Sequence, residues 1–168
     1  MLKKASVVLF LILGFGIIFP LHAADTLPEP KFSVLTTKFV DKLEGVNDKG
    51  EKDSWSVKDQ KAGLVLIMSV KVDADSDTKF LTSDFSARYQ IEGEPAMAEC
   101  IAITAGTSSQ DSPGRWLIGN CGDKVCKASE TMKKGTAYFQ LAFEPIEPDV
   151  KVVDLDYARP VVQQIKIR

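Results

Sequence analysis

Histidine is nearly missing from this chain: His22 is the only one in 168 residues. It lies in the first apolar stretch, so removal of that stretch leaves no imidazole at all. Without imidazole there is no Ser-His or Cys-His nucleophile activation and no histidine metal ligand. Cysteine is scarce as well, limited to Cys100, Cys121 and Cys126. The spacing C-G-D-K-V-C is not the C-x-x-C of thiol oxidoreductases, and three thiolates without histidine leave zinc short of a fourth ligand. A basic stripe is also lacking. The 21 Lys and Arg are interspersed with 23 Asp and Glu, for a formal net charge of −2, which argues against nucleic acid or anionic lipid as the main partner. Internal repeats, low-complexity tracts and sustained i, i+3, i+4 apolar patterns are absent.

What is present begins with MLKKASVVLFLILGFGIIF, which has the form of a secretory signal. Lys3 and Lys4 supply a positive start, Val7 to Phe19 an apolar core, Pro20 a helix break, and LHAAD a cut after Ala23 or Ala24. The apolar core is short against the roughly 20 residues of a spanning helix, so cleavage is favoured over a retained anchor. No cysteine directly follows the cut to accept a lipid. The expected organisation is a signal peptide at 1–23, a flexible Pro-containing lead-in at 24–31, and a single domain at 32–168. Removing Lys3 and Lys4 takes the net charge from −2 to −4. The expected location is the periplasm or the external medium, with the membrane met only during export.

Beyond the lead-in the chain reads almost wholly in period two. Phe32 to Val40 is a first strand, and NDKGEKD at 47–53 is a polar turn. In GLVLIMSVKV, Leu64, Leu66, Met68, Val70 and Val72 share one face while Ser69 and Lys71 point the other way, which predicts a central strand. Phe85, Ala87, Tyr89 and Ile91 alternate with Ser86, Arg88 and Gln90. Ala137, Phe139, Leu141 and Phe143 alternate with polar neighbours, as do Val153, Leu155 and Tyr157. VVQQIKIR gives a last strand. Many short alternating segments divided by Gly, Pro and Asp turns predict an all-β sandwich or barrel.

ECIAITAG and RWLIGNC form a candidate hairpin around TSSQDSPG. Centred near Gln110 and Asp111, it sets Cys100 opposite Cys121, Ile103 opposite Ile118 and Ala105 opposite Trp116. Such a pair lies within disulfide range. A Cys100–Cys121 staple on the outer face is expected, with Cys121–Cys126 as the alternative.

Two blocks carry a family resemblance. GLVLIMSVKVDADSDTKFLTSDFSARYQIEG is a long apolar strand, a polar hairpin and a Ser-Asp-Phe step into a second strand. MKKGTAYFQLAFEPIEPDVKVVDLDY is a Lys-Gly turn, an alternating strand ending in Phe143-Glu144-Pro145, and a further strand ending in tyrosine. Their order and spacing resemble the immunoglobulin-like extracytoplasmic domains of unknown function found in bacterial lipoproteins and secreted proteins. The resemblance covers residues 63–93 and 132–157. It implies an immunoglobulin-like antiparallel β-sandwich in the cell envelope, with no known catalytic residues. The chain departs from that pattern in its non-lipidated start and its cysteine-bearing segment 99–130.

Asp73, Asp75 and Asp77 in DADSDTKFLTSD match the first three carboxylates of a calcium loop. Thr78 stands where glycine makes the sharp turn, and Asp84 where a bidentate Glu is needed, so solvated turn residues are the favoured reading. No catalytic residue, cofactor or metal is expected. Trp55 and Arg115 are the candidate contact residues: Trp55 follows a polar turn, and Arg115 lies in the polar segment 106–130. Trp116 fits the inner face of the hairpin. These features point to a non-catalytic exported binding or assembly module of the bacterial cell envelope. It would contact a protein or surface polymer through loops or sheet edges. A secreted hydrolase inhibitor presenting the 106–130 loop is the alternative.

Overall fold

The computed structural model describes residues 29–47, 49–57, 63–106, 116–121, 124–125 and 128–167. The signal segment 1–23, most of the lead-in, Arg115 and the rest of 107–115 lie outside the described residues. The elements are β1 (Lys31–Val40), β2 (Lys42–Val46), β3 (Lys52–Ser56), β4 (Leu64–Ala74) and β5 (Thr78–Leu81). A 3-10 turn (Thr82–Asp84) leads into β6 (Phe85–Ile91), β7 (Glu94–Gly106), β8 (Trp116–Ile118), β9 (Asn120–Cys121) and β10 (Lys124–Val125). The last four are β11 (Ser129–Met132), β12 (Gly135–Ile146), β13 (Val152–Tyr157) and β14 (Arg159–Lys166).

The fold is all-β with mixed strand topology. Hydrogen bonding runs along one path, β1-β4-β12-β7-β6-β13-β14, with every ladder antiparallel. Strand β8 joins the edge of β7 and pairs in parallel with β2, which pairs with β3. Strand β4 is central, as its composition predicts: Leu66, Met68, Val70 and Val72 enter the main core, while Val65 and Ile67 enter a smaller one. A strand buried on both faces needs this near-continuous apolar run.

Strand β7 serves both halves of the path. Its first half, Glu94 to Glu99, pairs with β6, and its second half, from Cys100 to Gly106, pairs with β12. The change of partner coincides with a bulge. Phe143 faces Cys100 and Ala142 faces Ala102, so Ile101 is the extra residue. Cys100 and Ile103 therefore both reach the main core, and Ile101 and Ala102 both reach the smaller one. The β6–β7 hairpin turns on Glu92 and Gly93, with φ of 51° and 90°, the geometry of a two-residue turn that follows strand twist.

The main core takes side chains from all seven strands of the path and, from the β5–β11 pair, Phe80 and Met132. Phe32, Phe80, Phe85, Phe139 and Tyr157 gather there, with contacting ring centroids 5.1 to 6.0 Å apart. Each edge or tilted contact adds about 0.5–1.5 kcal/mol beyond the area it buries. The smaller core sits on the other face of β4, β12 and β7, under Leu43, Trp116 and Ile118. Gly45 is required there because a Cβ would strike the Trp116 carbonyl oxygen and lie 2.8 Å from the Trp116 Cβ.

The hairpin expectation needs correction. β7 and β8 do pair antiparallel, but Ala102 faces Ile118 and Ile103 faces Leu117, one residue away from the expected register. A slip of one residue exchanges the faces of a strand. The register moves β8, whereas the bulge at Ile101 sets Cys100 on the same face of β7 as Ile103, so its side chain enters the main core instead of the outer surface. Among the described residues no two sulfurs stand at bonding distance, and Cys100 is a free buried thiol. The expected disulfide is therefore withdrawn in both pairings; Cys121 occupies β9, and Cys126 lies outside the described residues.

Candidate functional site

The outward positions of β6 and β13 meet across their ladder, where Arg88 faces Asp154. The Arg88 Nη2 lies 3.5 Å from Asp154 Oδ2 and 3.3 Å from Asp156 Oδ1. One guanidinium is thus held between two carboxylates two residues apart on the same strand face. The second Asp154 oxygen accepts the Gln164 N–H at 2.8 Å. Gln164 has φ of 57° and belongs to a bulge in β14, where the register slips between the partners of Val153 and Leu155. That irregularity turns the Gln164 amide onto the carboxylate.

A groove of about 730 Å³ opens beside this cluster, lined by Arg88, Gln90, Pro95, Asp154, Gln164 and the Asp149–Val153 stretch. Burial raises the Asp156 carboxyl above its ordinary range; Arg88 opposes that rise, and Asp154 adds to it. Tyr89, also on the groove, has its phenol raised first by burial and then by Glu147 and Glu144. The groove therefore offers a positioned guanidinium, amide side chains, carboxylates and a phenol at the rim of rigid strands. This set can hydrogen-bond a polar ligand. Asp154 and Asp156 are already engaged by Arg88.

The residues singled out from sequence do not gather at this groove. Trp55 is half-buried on β3, opposite Leu43, and packs on the smaller core. Asp73 accepts a hydrogen bond from Thr136 Oγ1 and pairs with Lys71 at 3.0 Å. Asp77 receives Lys133 Nζ at 2.6 Å and the Lys134 N–H at 3.0 Å. These donors hold both carboxyls below their ordinary range, the side-chain hydrogen bond being the largest cause in each. Asp75 is exposed between them, and Asp84 Oδ2 caps the 3-10 turn by accepting the Leu81 N–H at 2.9 Å. Asp73 and Asp77 thus fasten the end of β4 and its connection to β5 onto β12 and the β11–β12 turn, and Asp84 holds the turn that leads into β6. Among the described residues no three acidic, histidine or cysteine side chains cluster to hold a metal.

Sequence reasoning missed the Arg88 groove. Its signal was present as Arg88 on the polar face of one alternating strand and Asp154 and Asp156 on the polar face of another. Only the pairing of β6 with β13 unites them. Comparison with known protein families, with curated proteins and with solved structures gives no match.

Proposed function

We propose that the chain is an exported, non-catalytic contact module of the bacterial cell envelope, immunoglobulin-like in kind, that holds a protein or surface polymer. Export rests on the signal-like residues 1–23, and the periplasm or the medium is its destination. The observation that carries the contact role is the Arg88 cluster in its open groove. Preorganised polar groups on strands lose little freedom when they bind, which is how a rigid face gains affinity.

The test uses the mature protein and isolated envelope fractions at about 0.1 M salt, where surface charges are still felt over roughly 10 Å. Wild-type protein is retained saturably. Arg88→Ala removes the guanidinium from between Asp154 and Asp156 and weakens retention by about tenfold or more. Retention equal to wild type, or turnover of any envelope component by the purified protein, would refute the reading. N-terminal sequencing of exported protein should begin at residue 24 or 25.

A further inference from the structure

Antiparallel ladders reverse direction at every step, so a path of seven strands brings its two ends back pointing the same way. Those ends, β1 and β14, lie side by side. Glu29 pairs with Arg159 at one end of the seam, and Thr37 Oγ1 donates to the Lys166 carbonyl at 3.4 Å at the other, which fixes the parallel alignment. No backbone ladder joins the two strands among the described residues. Both strands are irregular at the same level. β1 slips register between Val34 and Thr36, which leaves Leu35 outside, and β14 bulges at Gln163 and Gln164. Between the bulges lies a cleft of about 430 Å³ floored by Val34, Val162 and Ile165 and edged by Leu35 and Gln163.

We propose that this seam receives an extended acidic segment of another protein as an eighth strand, antiparallel to both β1 and β14. One such strand restores the alternation that an odd number breaks, and it gives the unpaired edge groups of both neighbours a partner. The seam is held by one exposed side-chain hydrogen bond, one exposed ion pair and the packing of Phe32, Val34, Val162 and Ile165 on the main core, with no backbone ladder to break as it widens toward twice the ~4.8 Å strand spacing. Leu35, 37% exposed, is one of only two large hydrophobic side chains left outside among the described residues, and it supplies the apolar contact. Charge selects the partner. Lys38 and Lys166 are exposed along the seam with no ion pair among the described residues, a local positive excess on a chain of net negative charge, while Lys31 stands across from Asp73 of β4. The seam borders the Arg88 groove at Gln164 but needs no ligand bound there.

The test titrates the mature protein with a capped ten-residue peptide of alternating Val and Thr flanked by Glu. The same peptide flanked by Lys, and a Glu-flanked version N-methylated at alternate residues, serve as comparisons. Binding is read by calorimetry and by hydrogen exchange. The Glu peptide binds about tenfold tighter than the Lys peptide, the N-methylated peptide does not bind, and amides of residues 33–36 and 162–165 gain protection. In the double variant Lys38→Glu, Lys166→Glu the preference between Glu and Lys peptides reverses. Arg88→Ala binds the Glu peptide like wild type. No binding of the Glu peptide at about 1 mM, equal binding of the N-methylated peptide, no charge preference, or loss of binding in Arg88→Ala would each overturn the proposal.

Discussion

Cys100 gives the sharpest test of how β7 is placed. The sulfur is buried beside the Ile101 bulge and bonds to the Ala102 carbonyl at 3.3 Å. Burial, only partly offset by backbone hydrogen bonds at Ala102 and Ala142, pushes the thiol from 9.0 up to about 12. At pH 8 a shift of that size leaves about a thousandfold less thiolate than an ordinary cysteine has, and the thiolate is the reactive form. In a Cys121→Ser, Cys126→Ser background, an aromatic disulfide reagent should therefore modify Cys100 at least about a thousandfold more slowly in native buffer than in guanidinium. The same shift has a thermodynamic sign. A thiol pKa raised by folding stabilises the fold fully below the unfolded pKa near 9.0, and that contribution is lost as pH rises toward 12. Across that window stability should fall by up to about 1.4 kcal/mol per pH unit from this group alone. Tyr89 and Tyr157 are raised in the same direction, so the comparison must be with Cys100→Ala, which removes only the cysteine contribution. Urea titrations of both proteins at pH 8, 9 and 10 give the difference. Native labelling within about tenfold of the denatured rate, or identical pH slopes in the two proteins, would refute the burial of Cys100.

Gly45→Ala forces β8 away from β2 and should cost about 1–3 kcal/mol in urea unfolding, with a change in Trp116 fluorescence; a loss under about 0.5 kcal/mol would contradict the parallel pairing. Gln140 Oε1 is buried without a hydrogen-bond partner among the described residues. Replacing the amide with a thioether of similar shape, Gln140→Met, should raise stability by about 1 kcal/mol or leave it unchanged, and a loss above about 1 kcal/mol would reveal an unseen partner. Calcium at millimolar levels should leave the melting midpoint unmoved at fixed pH and ionic strength, because Asp73 and Asp77 are occupied by Thr136, Lys71, Lys133 and Lys134; a clear upward shift would restore the metal reading.

Period-two alternation made β1, β4, β6, β12, β13 and β14 legible, because each buries alternate side chains in one core. Strands β2 and β3 were not legible. Leu43 and Val46, which enter the interior, are three residues apart, and Gly45 is there for the close approach of Trp116 instead of for packing. Bulges were invisible for a related reason: Leu35, Ile101 and Gln164 each sit where one strand slips against its partner, and nothing in a single strand announces it. The bulge at Ile101 turned an expected surface staple into a buried thiol. The groove was hidden because Arg88, Asp154 and Asp156 look like ordinary solvated positions until two strands distant in sequence are paired.

Groove and seam both depend on a single continuous strand path through β7, and cross-strand nuclear Overhauser contacts in isotope-labelled protein measure that path directly. The account predicts contacts of Ala98 with Ala87, of Ile103 with Leu141, and of Ala102 with Ile118. Contacts that keep both halves of β7 on one partner strand, or that set Ile103 opposite Ile118, would contradict it.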